Sequence, residues 1–192
     1  MNWVVFAFLA WVFMGLETGF RDAIAINFES GPIAPSFLLC LTAYVALGAP
    51  PSVARWAAIL IGLLADLSFD LPLKDAYAQA FLIGPFALGH LLAAQLVLTL
   101  RGMMIRRNPL TLGFASLCGA LACQILVVTI FSIRRGILGD DLSLAPWYVE
   151  LVLRSGSALY TGLLAVFLSF VLLPLAPMMG LNMTQKRFGR RD

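Results

Sequence analysis

The sequence predicts an all-α integral membrane protein in which residues 1–183 form a single bundle of six transmembrane helices. The first observation is composition: 61% of the 192 residues are hydrophobic and 12% are charged, whereas soluble domains have about 25% charged residues. The second is that short segments holding proline, glycine or arginine divide the chain into apolar runs. The predicted helices cover residues 3–20, 35–48, 53–71, 76–100, 109–133 and 147–173.

The first apolar run starts directly after Asn2, without the basic region or the small-residue cleavage site of a signal peptide, so we expect a retained first helix. Residues 21–35 mix charged and apolar residues, which predicts a short interfacial segment before a second helix that starts at a proline. Within the fourth helix, Gly84-Pro85 predicts a kink. The polar, basic residues 184–192 are expected to form a cytoplasmic tail.

The third helix carries a carboxylate well inside its apolar run. A charged side chain near the centre of a spanning helix costs about 2.5–3.5 kcal/mol on insertion scales, so Asp66 needs a physical reason. Counting by fours places Ala58, Gly62, Asp66 and Asp70 on one face of this helix. Small residues on a face allow another backbone to approach closely, so we expect this face to meet a helix and not lipid.

The sixth helix has a matching face, formed by Arg154, Ala158 and Gly162. Since the third and sixth helices are antiparallel, Asp66 and Arg154 are expected at similar depths below the outer surface. One hypothesis is that the two faces pack together and that Asp66 and Arg154 form an ion pair. In the alternative, Asp66 is hydrated from the outer face and Arg154 snorkels outward.

Basic residues indicate the orientation. Six spans place both termini on one side, and a cytoplasmic position for both puts eight lysines and arginines inside and five outside. The positive-inside rule therefore favours cytoplasmic termini. No basic patch interleaved with aromatic residues is present, so nucleic acid is not an expected partner.

The remaining polar residues of the helices carry little catalytic signal. His90, the single histidine, is expected to hydrogen-bond a neighbouring helix, as are the intramembrane amides Gln79, Gln95 and Gln124. The three cysteines lie in apolar runs and are expected to be buried free thiols; they are Cys40, Cys118 and Cys123. Because no nucleophile, metal-ligand or phosphate-loop motif is present, we expect neither enzymatic activity nor a cofactor.

The segment from residue 32 to residue 100 resembles the rod shape-determining MreD family. The features that carry the resemblance are Pro35 before the second helix, the run Ile61-Gly62-Leu63-Leu64-Ala65-Asp66-Leu67, and Leu71-Pro72-Leu73 before a fourth helix. Family members have a Gly-Leu-Leu-x-Asp-Leu element at the equivalent place, followed by a Pro-Leu-Gly turn. In this chain Lys74 stands where that turn has its glycine. Asp66 and Gly62 belong to this motif.

The resemblance implies a non-catalytic subunit of the elongation machinery in the bacterial inner membrane. Such proteins associate with the bitopic protein MreC, and through it with the MreB filament, the glycosyltransferase RodA and a class B penicillin-binding protein, and they help to position lateral peptidoglycan synthesis. The implied fold is similar to the six-helix vitamin-binding subunits of energy-coupling factor transporters. The alternative function is a substrate-binding subunit of a small-solute transporter, with an outward cavity lined by Glu17, Asp66, His90 and Arg154.

Overall fold

A computed structural model describes residues 1–28, 31–68, 83–105, 107–134, 136 and 146–183. Within these ranges the chain forms six α-helices and one short β-hairpin. The helices are α1 (Trp3–Gly19), α2 (Phe37–Gly48), α3 (Pro51–Ser68), α4 (Pro85–Leu100), α5 (Pro109–Ile133) and α6 (Trp147–Leu175). Predictions for Asp70, for Gln79, for the start of a helix at residue 76 and for the tail at 184–192 lie outside the described residues.

Three of the helices are long and apolar enough to cross a membrane. They are α3 with 18 residues, α5 with 25 and α6 with 29, and a bilayer core about 30 Å thick needs about 20 apolar residues. The other three, α1, α2 and α4, are apolar but have at most 17 residues. The helices are compatible with an all-α membrane protein.

Several predicted helix boundaries need correction within the described residues. Helix α2 begins at Phe37 and not at residue 35, because Ser36 is its N-cap, and α3 begins at Pro51 and not at residue 53. A helix does not continue through Gly84 with a kink; α4 begins at Pro85, because Gly84 has φ 131° and ψ −41°, outside the helical region. At the other end of the chain, α6 does not stop before Pro174 but includes it and ends at Leu175. The predicted starts at residues 3, 109 and 147 agree with those of α1, α5 and α6.

The predicted interfacial segment contains strands. Strand β1 (Ile26–Phe28) pairs antiparallel with strand β2 (Gly31–Ile33). Gly31 has φ 141°, a conformation that favours glycine. The hairpin packs on α6, where Ile33 lies against Gly156 and the Tyr160 hydroxyl donates to the Ile24 carbonyl at 3.2 Å.

Helix α2 forms the centre of the bundle. All of its 12 residues are buried, and it contacts α1, α3, α4, α5 and α6. Around it, α3 neighbours α4, α4 neighbours α5, and α5 neighbours α6. Helices α3 and α6 lie apart, since none of their Cα atoms come within 8 Å of one another.

The bundle has two distinct ends. At one, which we call the terminus end, the Asn2 amide donates to the Met179 carbonyl at 2.8 Å and the Asn182 amide donates to the Gly48 carbonyl at 3.0 Å. Residues near both termini therefore lie at the same end. The opposite end, which we call the carboxylate end, is where α2 and α4 begin and where Glu17 and Asp66 are found.

Candidate functional site

Asp66 caps the start of α4. Its side chain is 1% exposed. Its Oδ1 accepts a hydrogen bond from the Phe86 amide at 2.9 Å, and its Oδ2 accepts from the amides of Gly84 at 2.9 Å and Ala87 at 3.0 Å. Pro85 has no amide hydrogen, so Asp66 satisfies every amide that the first turn of α4 leaves without a partner. The buried charge is further favoured by the positive end of the helix dipole.

Gly62 allows α3 to reach this position. A Cβ atom at Gly62 would lie 2.5 Å from the Ala87 Cα and 2.7 Å from the Phe86 carbonyl oxygen. Only glycine leaves room for this contact between backbones. Gly62 and Asp66 therefore act together against the first turn of α4, one turn apart on the same face of α3, and Ala58 on that face is also buried.

The predicted pairing of Asp66 with Arg154 is wrong. The Arg154 Nε donates to Glu150 Oε1 at 2.7 Å, and its Nη1 donates to Gln124 Oε1 at 2.8 Å. Asp66 is also not hydrated from an outer face, since it is almost completely buried. The two residues bind different helices: Asp66 binds the start of α4, whereas Arg154 binds α5 through Gln124.

The small residues of α6 pack against α5 and not against α3. A Cβ atom at Gly162 would lie 3.0 Å from the Leu117 Cβ and 3.2 Å from the Gly113 carbonyl oxygen. Ala158, one turn earlier, is 1% exposed. The prediction that small residues mark close helix contacts holds for Gly62 and Gly162, but each has a different partner helix from the predicted one.

Glu17 performs for α2 the task that Asp66 performs for α4. Its side chain is 2% exposed. Its Oε2 accepts from the amides of Phe37 at 2.5 Å and Leu38 at 3.1 Å, and from the Ser36 hydroxyl at 3.3 Å. The Ser36 hydroxyl in turn accepts from the Leu39 amide at 3.2 Å. The sequence analysis missed this role; Ser36 after a proline is a signal for a helix start, but no sequence pattern connects it to Glu17.

Arg101 binds the opposite end of α2. Its Nη1 donates to the carbonyl oxygens of Ala46 at 3.0 Å and Ala49 at 2.6 Å. A cation at the carboxyl end of a helix is favoured by the helix dipole, as an anion is at the amino end. Helix α2 is thus held at both ends by charges from other elements.

Two further polar side chains of the helices, His90 and Gln95, bind neighbouring helices. The His90 Nδ1 lies 2.8 Å from the Thr42 hydroxyl, which donates to the Leu38 carbonyl at 3.0 Å, so His90 is the donor to Thr42. The Gln95 Oε1 accepts from the Arg55 Nε at 3.1 Å. The predicted interhelical hydrogen bonds are confirmed for His90, Gln95 and Gln124.

Three observations bear on ligands. In the part of the chain that the structure describes, no three His, Cys, Asp or Glu side chains are grouped so that they could hold a metal ion. Cys40 and Cys123 are buried free thiols, as predicted, and Cys118 is partly buried. A largely apolar cleft of about 470 Å³ lies between the end of α5 and the start of α6; its lining includes Val128, Thr129, Trp147 and Leu151.

None of the four side chains predicted to line a solute cavity borders this cleft. Glu17 and Asp66 bind the starts of two different helices, His90 binds Thr42, and Arg154 binds Glu150 and Gln124. Within the described residues, each of the four therefore binds a different part of the fold.

Comparisons of the chain with models of protein families, with curated proteins and with solved structures find no match.

Proposed function

We propose that the chain is an MreD-like, non-catalytic subunit of the bacterial elongation machinery. In this proposal it lies in the inner membrane with six spans and both termini in the cytoplasm. It acts through contacts with an MreC-like bitopic protein, and indirectly with an MreB-like filament, a RodA-like glycosyltransferase and a class B penicillin-binding protein. Its contribution is to the positioning of lateral peptidoglycan synthesis and hence to cell shape.

The proposal rests on the contact that the motif residues Gly62 and Asp66 make with the first turn of α4. Gly62 admits the first turn of α4, and Asp66 binds all of that turn's unpartnered amides. The motif therefore has a structural task that needs no ligand. A glycine and an aspartate one turn apart are the residue types that this contact between helices requires.

Glu17 and Arg101, two further charged residues, also bind backbone atoms of the fold, which supports a scaffold. Glu17 and Arg101 bind backbone atoms at the two ends of α2. These charges therefore stabilise the fold itself. The outward faces carry large apolar side chains, such as Trp11 at 72% and Phe167 at 71% exposed. Such faces suit lipid and the transmembrane helices of partner proteins.

The six-span arrangement is supported by the position of the short helices. Helix α2 has only 12 residues, but it is enclosed by other helices and does not need to match the bilayer thickness. Helices α1 and α4, with 17 and 16 residues, are about 25 Å long at 1.5 Å per residue. A bilayer can adapt to such a mismatch by local thinning at modest cost.

The alternative, a substrate-binding subunit of a transporter, needs polar side chains that converge on one cavity. Glu17, Asp66 and His90 each bind a different part of the fold, as does Arg154. The geometry therefore favours the scaffold over the transporter subunit.

The test is recovery of the tagged chain from its native envelope in mild detergent, with mass spectrometry of the proteins that accompany it. We expect an MreC-like bitopic protein and a class B penicillin-binding protein. Recovery of ATPase subunits together with a coupling membrane protein would contradict the proposal and indicate transport.

Two matched variants of the tagged chain locate the partner. One replaces Phe8 and Trp11 on the exposed face of α1 with alanine, and the other replaces Leu163 and Phe167 on the exposed face of α6. We expect one variant to lose the bitopic protein and the other to keep it. Full recovery of the bitopic protein with both variants would mean that neither face is the contact.

A further inference from the structure

Charge is distributed unevenly between the two ends of the bundle. All four acidic residues of the described part of the chain lie at the carboxylate end; they are Glu17, Asp22, Asp66 and Glu150. The terminus end carries three arginines, Arg55, Arg101 and Arg107, and no acidic residue within the described ranges. Surfaces in contact with the terminus end therefore meet an excess of positive charge.

Two of these three arginines are directed outward. Arg101 turns inward to the end of α2, whereas Arg55 and Arg107 are exposed. Large apolar side chains are exposed beside them: Trp56 at 63%, Met103 at 88% and Ile105 at 62%. We call these five residues (Arg55, Trp56, Met103, Ile105 and Arg107) the arginine surface.

Contacts within the fold hold the parts of the arginine surface at one end of the bundle. Arg55 on α3 binds Gln95 on α4, near the end of that helix. The segment that follows α4 is fixed where Arg101 binds the carbonyl of Ala49, in the connection between α2 and α3. The start of α3 and the end of α4, from which the chain continues to Met103 and Ile105, are therefore neighbours.

We propose that the arginine surface binds anionic phospholipid headgroups of the leaflet that the terminus end faces. Arg55 is the fifth residue of α3, about 6 Å along the helix from its start, so its long side chain can extend to headgroup depth at that helix end. Trp56 beside it is of the residue type enriched at that depth. Arginines interleaved with exposed apolar side chains match a surface that is anionic at the headgroups and apolar beneath them.

The proposal depends only on a bilayer and is independent of the proposed part in cell-wall synthesis. Each cation near an anionic membrane surface contributes a preference of about fivefold for anionic over neutral lipid. Arg55 and Arg107 together are therefore expected to give a preference of roughly twenty-five-fold. High salt should reduce it, because exposed charges are screened.

The experiment uses the tryptophans as local reporters. The chain has four tryptophans, Trp3, Trp11, Trp56 and Trp147. One variant keeps only Trp56 and reports on the terminus end, and a second keeps only Trp147 and reports on the carboxylate end. Phenylalanine replaces the other three tryptophans in each. The purified full-length chain is reconstituted in phosphatidylcholine vesicles that contain a minor share of brominated phosphatidylglycerol or of brominated phosphatidylcholine. Bromine quenches tryptophan fluorescence on contact.

We expect brominated phosphatidylglycerol to quench Trp56 at much lower mole fraction than brominated phosphatidylcholine. The double variant Arg55→Gln, Arg107→Gln should remove most of this preference, and Arg55→Lys, Arg107→Lys should keep it. The matched control Arg134→Gln, at the carboxylate end, should leave the Trp56 preference unchanged. With Trp147 as the reporter, we expect little discrimination between the two lipids.

Equal quenching of Trp56 by both lipids would overturn the proposal, as would a preference that persists in the double glutamine variant. If neither lipid quenches Trp56, a protein surface, a second copy of this chain included, covers the site instead, and the proposal is also wrong. Circular dichroism of each variant establishes that a lost preference does not reflect a lost fold.

Discussion

Helices α2 and α4 both begin inside the bundle, and each is capped by a carboxylate from another helix, but the two caps are built differently. At α2, a single oxygen of Glu17 accepts the bonds, and Ser36 contributes a second cap of its own. At α4, both oxygens of Asp66 are used, and the N-cap residue Gly84 contributes no side chain.

The two caps differ in how many side chains bind the amides at the start of the helix. The Ser36 amide donates to the Thr161 hydroxyl at 2.9 Å, so three side chains share the amides at the start of α2. Helix α2 is also enclosed by neighbours along its whole length. Among the described residues, Asp66 is the side chain that accepts from the amides at the start of α4, so changes there should have the larger effects.

The largest effect is expected for Asp66→Asn. An asparagine keeps the shape but places an NH2 group against at least one backbone amide, which leaves buried donors unpaired. We expect a loss of about 3 kcal/mol in the free energy of unfolding, measured by denaturant titration in mixed micelles. A loss below about 1 kcal/mol would show that Asp66 is not the cap of α4.

The next effect concerns the contact that brings Asp66 to α4. A methyl group at Gly62 would meet backbone atoms of Ala87 and Phe86 that cannot move without shifting the helix. Gly62→Ala should therefore cost about 2 kcal/mol in the same titration. The matched control is Gly15→Ala in α1, where a Cβ atom would meet nothing within 4 Å; equal effects of the two variants would contradict the close approach of α3 and α4.

Glu17→Gln should cost less than Asp66→Asn, although both remove one buried charge. All the bonds to Glu17 go to Oε2, and the carbonyl oxygen of glutamine can take that place and keep them. The remaining cost is the lost charge at the helix start, about 1 kcal/mol. A cost equal to that of Asp66→Asn would remove the proposed distinction between the two caps.

The smallest effect is expected for Ser36→Gly, which gives α2 the same N-cap residue as α4. Glu17 still binds the amides of Phe37 and Leu38, so the expected cost is about 0.5 kcal/mol. In the Glu17→Gln background the same change should cost more, because the two caps support one another. Strict additivity of the two changes would contradict this shared cap.

The sequence predicted the helices well and their lateral arrangement poorly. The apolar runs are local signals, and they located the starts of α1, α5 and α6. Counting along helices also identified Gly62 and Gly162 as sites of close contact. It could not identify the partner helices, because position along a helix gives depth but not which neighbour lies at that depth.

Asp66 and Arg154 illustrate this limit. Both were placed towards the same end of the bundle, and both lie towards the carboxylate end, yet Asp66 binds α4 and Arg154 binds α5. Charge complementarity suggested an ion pair, but backbone amides at a helix start satisfy a carboxylate equally well. The same reason concealed Glu17, whose partners lie 19 to 21 residues away in the sequence.

The most direct test of the capping role is hydrogen exchange at the amides of Gly84, Phe86 and Ala87 in the reconstituted chain. If Asp66 caps α4, Asp66→Asn should raise exchange at these amides by about a hundredfold, and Arg154→Gln should leave them unchanged. Unchanged exchange in Asp66→Asn would contradict the capping role of Asp66. An equal rise in Arg154→Gln would also contradict it and would indicate a direct coupling between Asp66 and Arg154.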